Sequence, residues 1–476
     1  MTSWGRFQRQ FDGIIKDLND HEALVDKTAA AAGLAESRAM REDLANLRRE
    51  SLERAAKAEE ERTAAQYMAI VGWLKMDDGS QAKLFEAILT EPQKYTETCD
   101  WILKVDRIAA WMRCSHESAF LVLHGHPGTG KSVLAARIAT FLRTQGRSLV
   151  VSHICTYSHA SSTDYDQILR SILLQLVRSD TDLVAYVYEE FILKKKSVTS
   201  QSIERLILES VGAISSTPAE TKYVHIVLDG LDECDKEKQT RIINLFERMI
   251  SAAFASTSAV CKVLITSCMP ASVAKKLKQK HRVSLSAEKV ALEKAISLYA
   301  SQRLGQLRSR WHQMDIRDID LKELETKLAK KADGWWRFTQ PFVAKLSDNF
   351  IGMFLWARLV LEYLTTNMFV RKSEVMESVD MLPRKLSDFY GQILAQLMSH
   401  FDNRSVSRLQ SIMGWIAFAK RPLRKVELRA ALSFLPEEDS VHLQELAPTY
   451  LLDMCAPLVE ERADTTFAFV HGSVKE

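Results

Sequence analysis

The run Gly125-His126-Pro127-Gly128-Thr129-Gly130-Lys131-Ser132 constrains this chain more than any other stretch. It follows a short apolar run, Phe120 to Leu123, and opens onto Val133-Leu134-Ala135-Ala136-Arg137-Ile138, a good helix start, so it stands in a strand-loop-helix setting. Glycines at 125, 128 and 130 let the backbone curl until successive N–H groups point inward, and the helix N-terminus adds partial positive charge. A phosphate is the group such a loop suits. In that reading Lys131 reaches the terminal phosphates and Ser132 holds a magnesium ion, while Gly125, Pro127, Gly128, Thr129 and Gly130 supply the cradle. His126 is a permitted variable position.

Three further apolar runs, Leu149 to Ser152, Val224 to Leu228 and Val263 to Thr266, are separated by helical stretches, which predicts a parallel sheet covered on both faces. The second run ends in Asp229, the candidate metal ligand beside Ser132. Asp229-Gly230-Leu231-Asp232-Glu233 then sets two more carboxylates beyond the strand's carboxyl end, where a base for a water nucleophile belongs. Asp232 and Glu233 are the candidate catalytic acids; taken alone, the same turn also fits a solvated loop.

The flanks are helical. From Ala29 to Tyr67 the chain is rich in Ala, Glu and Arg, with pairs such as Glu50/Arg54 and Glu53/Lys57 four apart, which predicts one long solvated helix. Phe7, Phe11, Ile14, Ile15 and Leu18 repeat at helical spacing ahead of it. Leu44, Leu47 and Leu52 form too short a seam for a coiled coil, so packing against neighbouring helices is expected. The expected organisation is a helical module over 1–100, the sheet domain over 101–290, a helical domain over 291–403 and a smaller domain over 404–476 with one strand near Thr466 to His471.

Composition limits the partners. Against 64 Lys and Arg stand 61 Asp and Glu, too near balance for a protein that lives on nucleic-acid phosphates. The runs at 194–196 and 275–280 read as solvated helix ends. Seven scattered cysteines without ligand spacing read as reduced thiols, and the charged first residues do not form a secretory signal, so a cytoplasmic protein is expected. Its longest apolar stretch, Gly352 to Leu364, is broken by Arg358 and Glu362 and is too short for a membrane span. No NKxD motif selects guanine, which favours ATP/ADP as the nucleotide.

These residues carry a resemblance. The loop GHPGTGKS, the strand ending in DGLDE, KVLITS at 262–267, FLWARLVLEYL at 354–364, RPLRKVEL at 421–428 and FAFVHGSVKE at 467–476 follow the order of the NACHT-type, nephrocystin-like P-loop domains of fungal STAND NTPases, relatives of animal and plant immune receptors. The resemblance covers roughly 95–476. It implies an α/β P-loop NTPase sheet between an all-helical N-terminal module and C-terminal helical and partial winged-helix modules. It also implies ATP/ADP and Mg as cofactors, slow hydrolysis through Asp232 and Glu233, self-oligomerisation on activation, and an NLR-like role in fungal nonself recognition or regulated cell death. His471 is implied as a latch on the bound diphosphate, or else is a strand-end histidine without a ligand. Thr266 and Ser267 either bond water or phosphate or are structural strand-end residues.

Three departures stand out. Ser267 is followed by Cys268 where the relatives carry arginine, and a thiol cannot replace a permanently charged fork. Residues 335–352 interrupt a helix connection with aromatic-rich sequence, read either as translated intron or as a real apolar loop. The chain also stops within the winged-helix-like module. These departures sustain a second reading, a nucleotide-binding scaffold without turnover, from a truncated or mis-spliced family member. A third, a remodelling motor of the AAA+ class, requires a constitutive ring. Protein partners are not legible.

Overall fold

The computed structural model describes residues 4–476 apart from 78, 96, 116–117, 157–158, 214–221, 256–258, 269–279, 312–315, 333–353, 368, 384–385, 400, 434–447, 449–451, 453–454, 456–457, 463–464, 471–473 and 475–476. The chain divides into two compact units, Met1–Ala69 and Ile70–Glu476.

The described residues of the first unit are all helix, part of α1 (Trp4–Leu74). Alanine, glutamate and arginine favour it locally, and surface pairs such as Arg54–Glu50 at 2.9 Å add a few tenths of a kcal/mol each. Sequence predicts that its apolar positions pack against neighbouring helices. The described residues of this unit contain no second element, and Ile14, Leu18, Val25, Met40, Leu44 and Leu47 stay exposed.

The second unit begins with α2 (Ser80–Lys94) and α3 (Asp106–Met112). The sheet follows: β1 (Phe120–His124), α4 (Lys131–Gln145), β2 (Ser148–Ile154), α5 (Tyr165–Arg178), α6 (Thr181–Val187), α7 (Ser200–Ala213), β3 (Lys222–Asp229), α8 (Lys236–Ala255), β4 (Ala259–Ser267) and β5 (His281–Ser284). All five strands are parallel, in the order β2-β3-β4-β1-β5. Leu121, Leu123, Val227 and Leu264 share a core with Leu134 and Ile138 of α4. Their strand neighbours Val122, Ile226, Val263 and Ile265 are buried as well, and the two-residue period of a strand puts them on the opposite face. Both faces are therefore covered, as the uninterrupted apolar runs predict. Each such side chain contributes about 1.5–3 kcal/mol by leaving water. The fifth strand was not legible: HRVS is four residues long and half polar.

Past the sheet, α9 (Lys289–Trp311), α10 (Asp318–Ala332), α11 (Phe354–Thr366), α12 (Lys372–Met381) and α13 (Leu386–Ser399) build a second core around Leu324, Leu328, Trp356, Val360 and Phe389. Trp356 Nε1 donates to the Pro383 carbonyl at 3.0 Å, so the buried indole leaves no orphan donor. A third core lies in α14 (Asn403–Phe418), β6 (Leu423–Arg424), α15 (Lys425–Ser433), β7 (Val459–Glu461) and β8 (Thr466–Phe469). Its sheet is antiparallel, ordered β6-β8-β7. Sequence predicts β8 alone; its partners are two and three residues long, below the length at which alternation can be read. Arg358 on α11 meets Glu460 on β7 at 2.6 Å. The 335–352 interruption and His471 lie outside the described residues. Among the described residues, no helix is long and apolar enough to cross a membrane.

Candidate functional site: a phosphate loop and its acidic neighbours

Sheet order decides which strand ends meet. β1 is flanked by β4 and β5, and β3 by β2 and β4, so the carboxyl ends of β1, β4 and β3 are side by side and the loops leaving them converge. The loop after β1 turns through Gly128 and Gly130, whose φ angles of 77° and 85° are left-handed values that a side chain resists. Thr129 closes the curve, its N–H and its hydroxyl both donating to the His126 carbonyl, at 3.4 and 2.8 Å. Gly125 has no room to spare: a Cβ there would stand 2.9 Å from Thr129 Oγ1 and 3.1 Å from the Leu285 side chain. Directly after Gly130, α4 begins at Lys131, so the helix N-terminus faces the loop.

Lys131 folds over its own loop. Nζ donates to the carbonyls of Gly125 and His126, both at 3.0 Å, and lies 3.0 Å from Cys268 Sγ. Burial raises the Cys268 thiol to about 11, with Lys131 opposing the rise, so this neighbour is neutral at pH 7. The Cys268 N–H donates to Asp232 Oδ1 at 3.0 Å, which pins one candidate catalytic acid to the end of β4.

Asp229 is buried at the end of β3. Its carboxylate accepts from Thr266 Oγ1 at 2.5 Å and is hydrogen-bonded to Ser132. Burial pushes its pKa above the ordinary carboxylate value, and the contacts with Thr266, Ser132 and Lys131 offset only part of that. An incompletely compensated buried carboxylate beside a serine hydroxyl offers two hard oxygen donors, and the pair fits a small divalent cation such as magnesium. Gly230 continues the turn at φ 74°, and its N–H donates to Thr266 Oγ1 at 2.9 Å. The turn then delivers Asp232, half-buried, and Glu233, exposed.

Lys131, Ser132, Asp229, Asp232 and Thr266 therefore come together, although their sequence positions span 136 residues. Thr266 bridges Asp229 to the turn through its hydroxyl. Ser267 is buried and donates to the Cys268 carbonyl at 3.2 Å. A small cavity between α4 and the strands β2 and β3 is lined by Ser132 and Asp229 together with Phe85, Ser152 and His153.

Sequence reasoning missed one contact. The Leu355 N–H at the start of α11 donates to the Gly128 carbonyl at 3.1 Å, and the Phe354 ring edge lies 3.8 Å from where a Cβ on Gly130 would be. No local pattern announces a bond across 227 residues; the only signal was that FLWARLVLEYL belongs to the resembled family's text.

A family model described as "Nephrocystin 3, N-terminal" matches residues 97–268, just over a third of the chain. No curated protein matches. Among solved structures, Cdc6p of Pyrobaculum aerophilum is 13% identical, covers 80% of this chain and 91% of its own, and superposes with a TM-score of 0.34. For the Walker-type ATPase of Pyrococcus abyssi the values are 13%, 78%, 94% and 0.35, and for the ADP form of Aeropyrum pernix ORC2 they are 12%, 82%, 88% and 0.30. At such identities and TM-scores these likenesses carry no functional inference. The loop, the strand order and the family match over 97–268 agree on one conclusion: the chain carries an α/β P-loop NTPase domain joined to helical modules.

Proposed function

We propose that the protein is a nucleotide-dependent signalling switch that binds ATP and ADP with magnesium and hydrolyses ATP slowly. The observation that carries this reading is the convergence of Lys131, Ser132, Asp229 and Asp232 at three adjacent strand ends. The loop N–H groups and the α4 N-terminus bind the phosphates, and Lys131 exchanges its two carbonyl partners for phosphate oxygens. Magnesium, held by Ser132 and Asp229, supplies charge neutralisation between phosphate groups when bound. Asp232, tethered to the Cys268 N–H, orients a water, and Glu233 stands beside it as the proton acceptor. The C-terminal helical and winged-helix-like modules close over ADP, with His471 as the latch.

By resemblance, exchange of ADP for ATP releases self-oligomerisation and an NLR-like response in the cytoplasm, in fungal nonself recognition or regulated cell death. Nucleotide identification in the purified protein tests the core of this. Bound ADP is expected in the wild type and none in Lys131→Ala; an empty wild-type site that no added nucleotide stabilises refutes it.

One observation favours a second reading, a scaffold that binds without turnover. The group 3.0 Å from Lys131 Nζ is a neutral thiol, so the terminal phosphate meets one fewer fixed cation than an arginine would give. Thermal stabilisation by ATP without phosphate release would select it. At a hundred times the dissociation constant the stabilisation should be about 2.7 kcal/mol in either case.

A further inference from the structure

The apolar stripe on α1 has no role in the reading above. Ile14, Leu18, Val25, Met40, Leu44 and Leu47 are all exposed, between 54% and 66%. Glu22, Ala29, Gly33 and Glu36 fill the gaps between them, and the same series reaches Phe11 at its start. The steps along the series alternate as three, four and four, an 11-residue repeat that keeps every member on one side of a nearly straight helix pair. The stripe is also symmetrical about Ala29: bulky side chains occupy both ends, small ones the middle, and the two glutamates stand equidistant from the centre.

We propose that α1 pairs antiparallel with α1 of a second copy of this chain, about a two-fold axis at Ala29. Ile14 then lies against the partner's Leu44, Leu18 against the partner's Met40 and Val25 against the partner's Gly33. A two-fold interface requires one surface to complement itself, and this stripe does so under reversal.

Two features set the direction. Gly33 has nothing within 4 Å of where its Cβ would be. A parallel, in-register pair would set Gly33 against Gly33 and leave a gap, whereas reversal fills the space with Val25. Charge agrees. Over 12–26 the helix carries Asp12, Asp17, Asp20, Glu22 and Asp26 against Lys16 alone. In a parallel pair that stretch would face its own copy; reversed, it faces 32–46, where Arg38 and Arg41 nearly balance Glu36, Glu42 and Asp43, so the repulsion is smaller. Opposed helix dipoles add to the preference.

Size is sufficient. The stripe from 14 to 47 is about 50 Å long at 1.5 Å per residue. Covering it on both copies buries on the order of 1,200 Å², at the lower end of specific, stable interfaces. The same reversal brings Glu22 level with the partner's Glu36 at two places, a like-charge cost set against the apolar pairs. The pairing needs no nucleotide and does not involve the phosphate loop.

Sedimentation equilibrium of the full chain without nucleotide tests it, with a dimer expected at tens of micromolar. Leu18→Glu combined with Leu44→Glu should give a monomer with unchanged far-UV circular dichroism, since both side chains are exposed. Direction is read by cross-linking in a Cys114→Ser background, which removes the one exposed thiol among the described residues. Under oxidised glutathione, Ala29→Cys should link to itself, Leu18→Cys should not, and a mixture of Leu18→Cys and Met40→Cys should link. A wild-type monomer, a dimer that survives the two glutamates, or Leu18→Cys linking to itself overturns the proposal.

Discussion

The turn after β3 and the helix α1 are stabilised in opposite ways. At the turn, every group is fixed from several directions: Asp229 by Thr266 and Ser132, Asp232 by the backbone of β4, and Gly230 by a left-handed φ with the Cys155 carbonyl against it. Along α1, conformation follows from local propensity and pairs one turn apart, and the side chains face outward. Tertiary constraint makes the first region intolerant of single changes, while the second should absorb them. Two glycines put this contrast to the test, with two titration effects between them in size.

Gly230→Ala should have the largest effect. A Cβ at this position would lie 2.5 Å from the Cys155 carbonyl oxygen, a backbone atom that cannot rotate away, and φ is already 74°. The left-handed conformation costs about 1–2 kcal/mol, and relieving the clash means separating β2 from β3 at the acidic turn. A loss of roughly 3–5 kcal/mol in denaturant melts is expected, near the upper end for single substitutions. A loss below 1 kcal/mol would show that the turn is far more pliable than its geometry implies.

Acid should weaken the sheet domain next. His153 is wholly buried, with Nε2 on the Ser162 carbonyl at 2.8 Å, and burial lowers its pKa to about 4. His225 packs edge-on against Trp111 at 5.0 Å with Lys262 nearby, and burial with that charge lowers it to about 4 as well. Both folded values lie below the ordinary 6.5, so the unfolded chain takes up protons first as the pH falls. The contribution of these two histidines is therefore constant above about pH 6.5 and lost between there and pH 4, by on the order of 3 kcal/mol for each. His153→Gln should flatten part of the slope, as read by melting temperature against pH.

The same contrast explains what the sequence could reveal. The strands at 120, 149, 224 and 263 were legible because two buried faces require unbroken apolar runs, and the loop at 125–132 because curling a backbone around phosphate needs glycine at fixed places. The pairing of Asp229 with Ser132 followed from those two motifs. Neither Lys131 beside Cys268 nor Leu355 on Gly128 could be inferred, since each joins residues more than a hundred positions apart through packing alone. β5, β6 and β7 are too short to show a period. α1 was legible as helix, but what its apolar positions pack against was not, because a stripe shows that a face seeks cover without showing where that cover comes from.

Asp229→Asn separates stability from function at the turn. The buried carboxylate has a raised pKa, so at pH 7 its ionised form costs the fold free energy that a neutral amide of the same shape does not. Asn can still accept from Thr266. Without nucleotide the variant should melt higher, while the extra stabilisation by magnesium with ATP disappears. A lower melting point would mean that the contacts with Ser132 and Lys131 already outweigh the cost of burial.

Gly33→Ala on α1 should have the smallest effect, and of opposite sign to the change at Gly230. The position is helical with an ordinary φ, and nothing lies within 4 Å of the added Cβ. Removing a glycine from a helix interior lowers the freedom of the unfolded chain and gains about 0.5–1 kcal/mol. Amide hydrogen exchange around residue 33 should slow by about three- to five-fold, with the sheet domain unaffected. Faster exchange at 33 would mean that this stretch of α1 is held by something other than its own propensity, and the contrast between the two regions would fail at its simpler end.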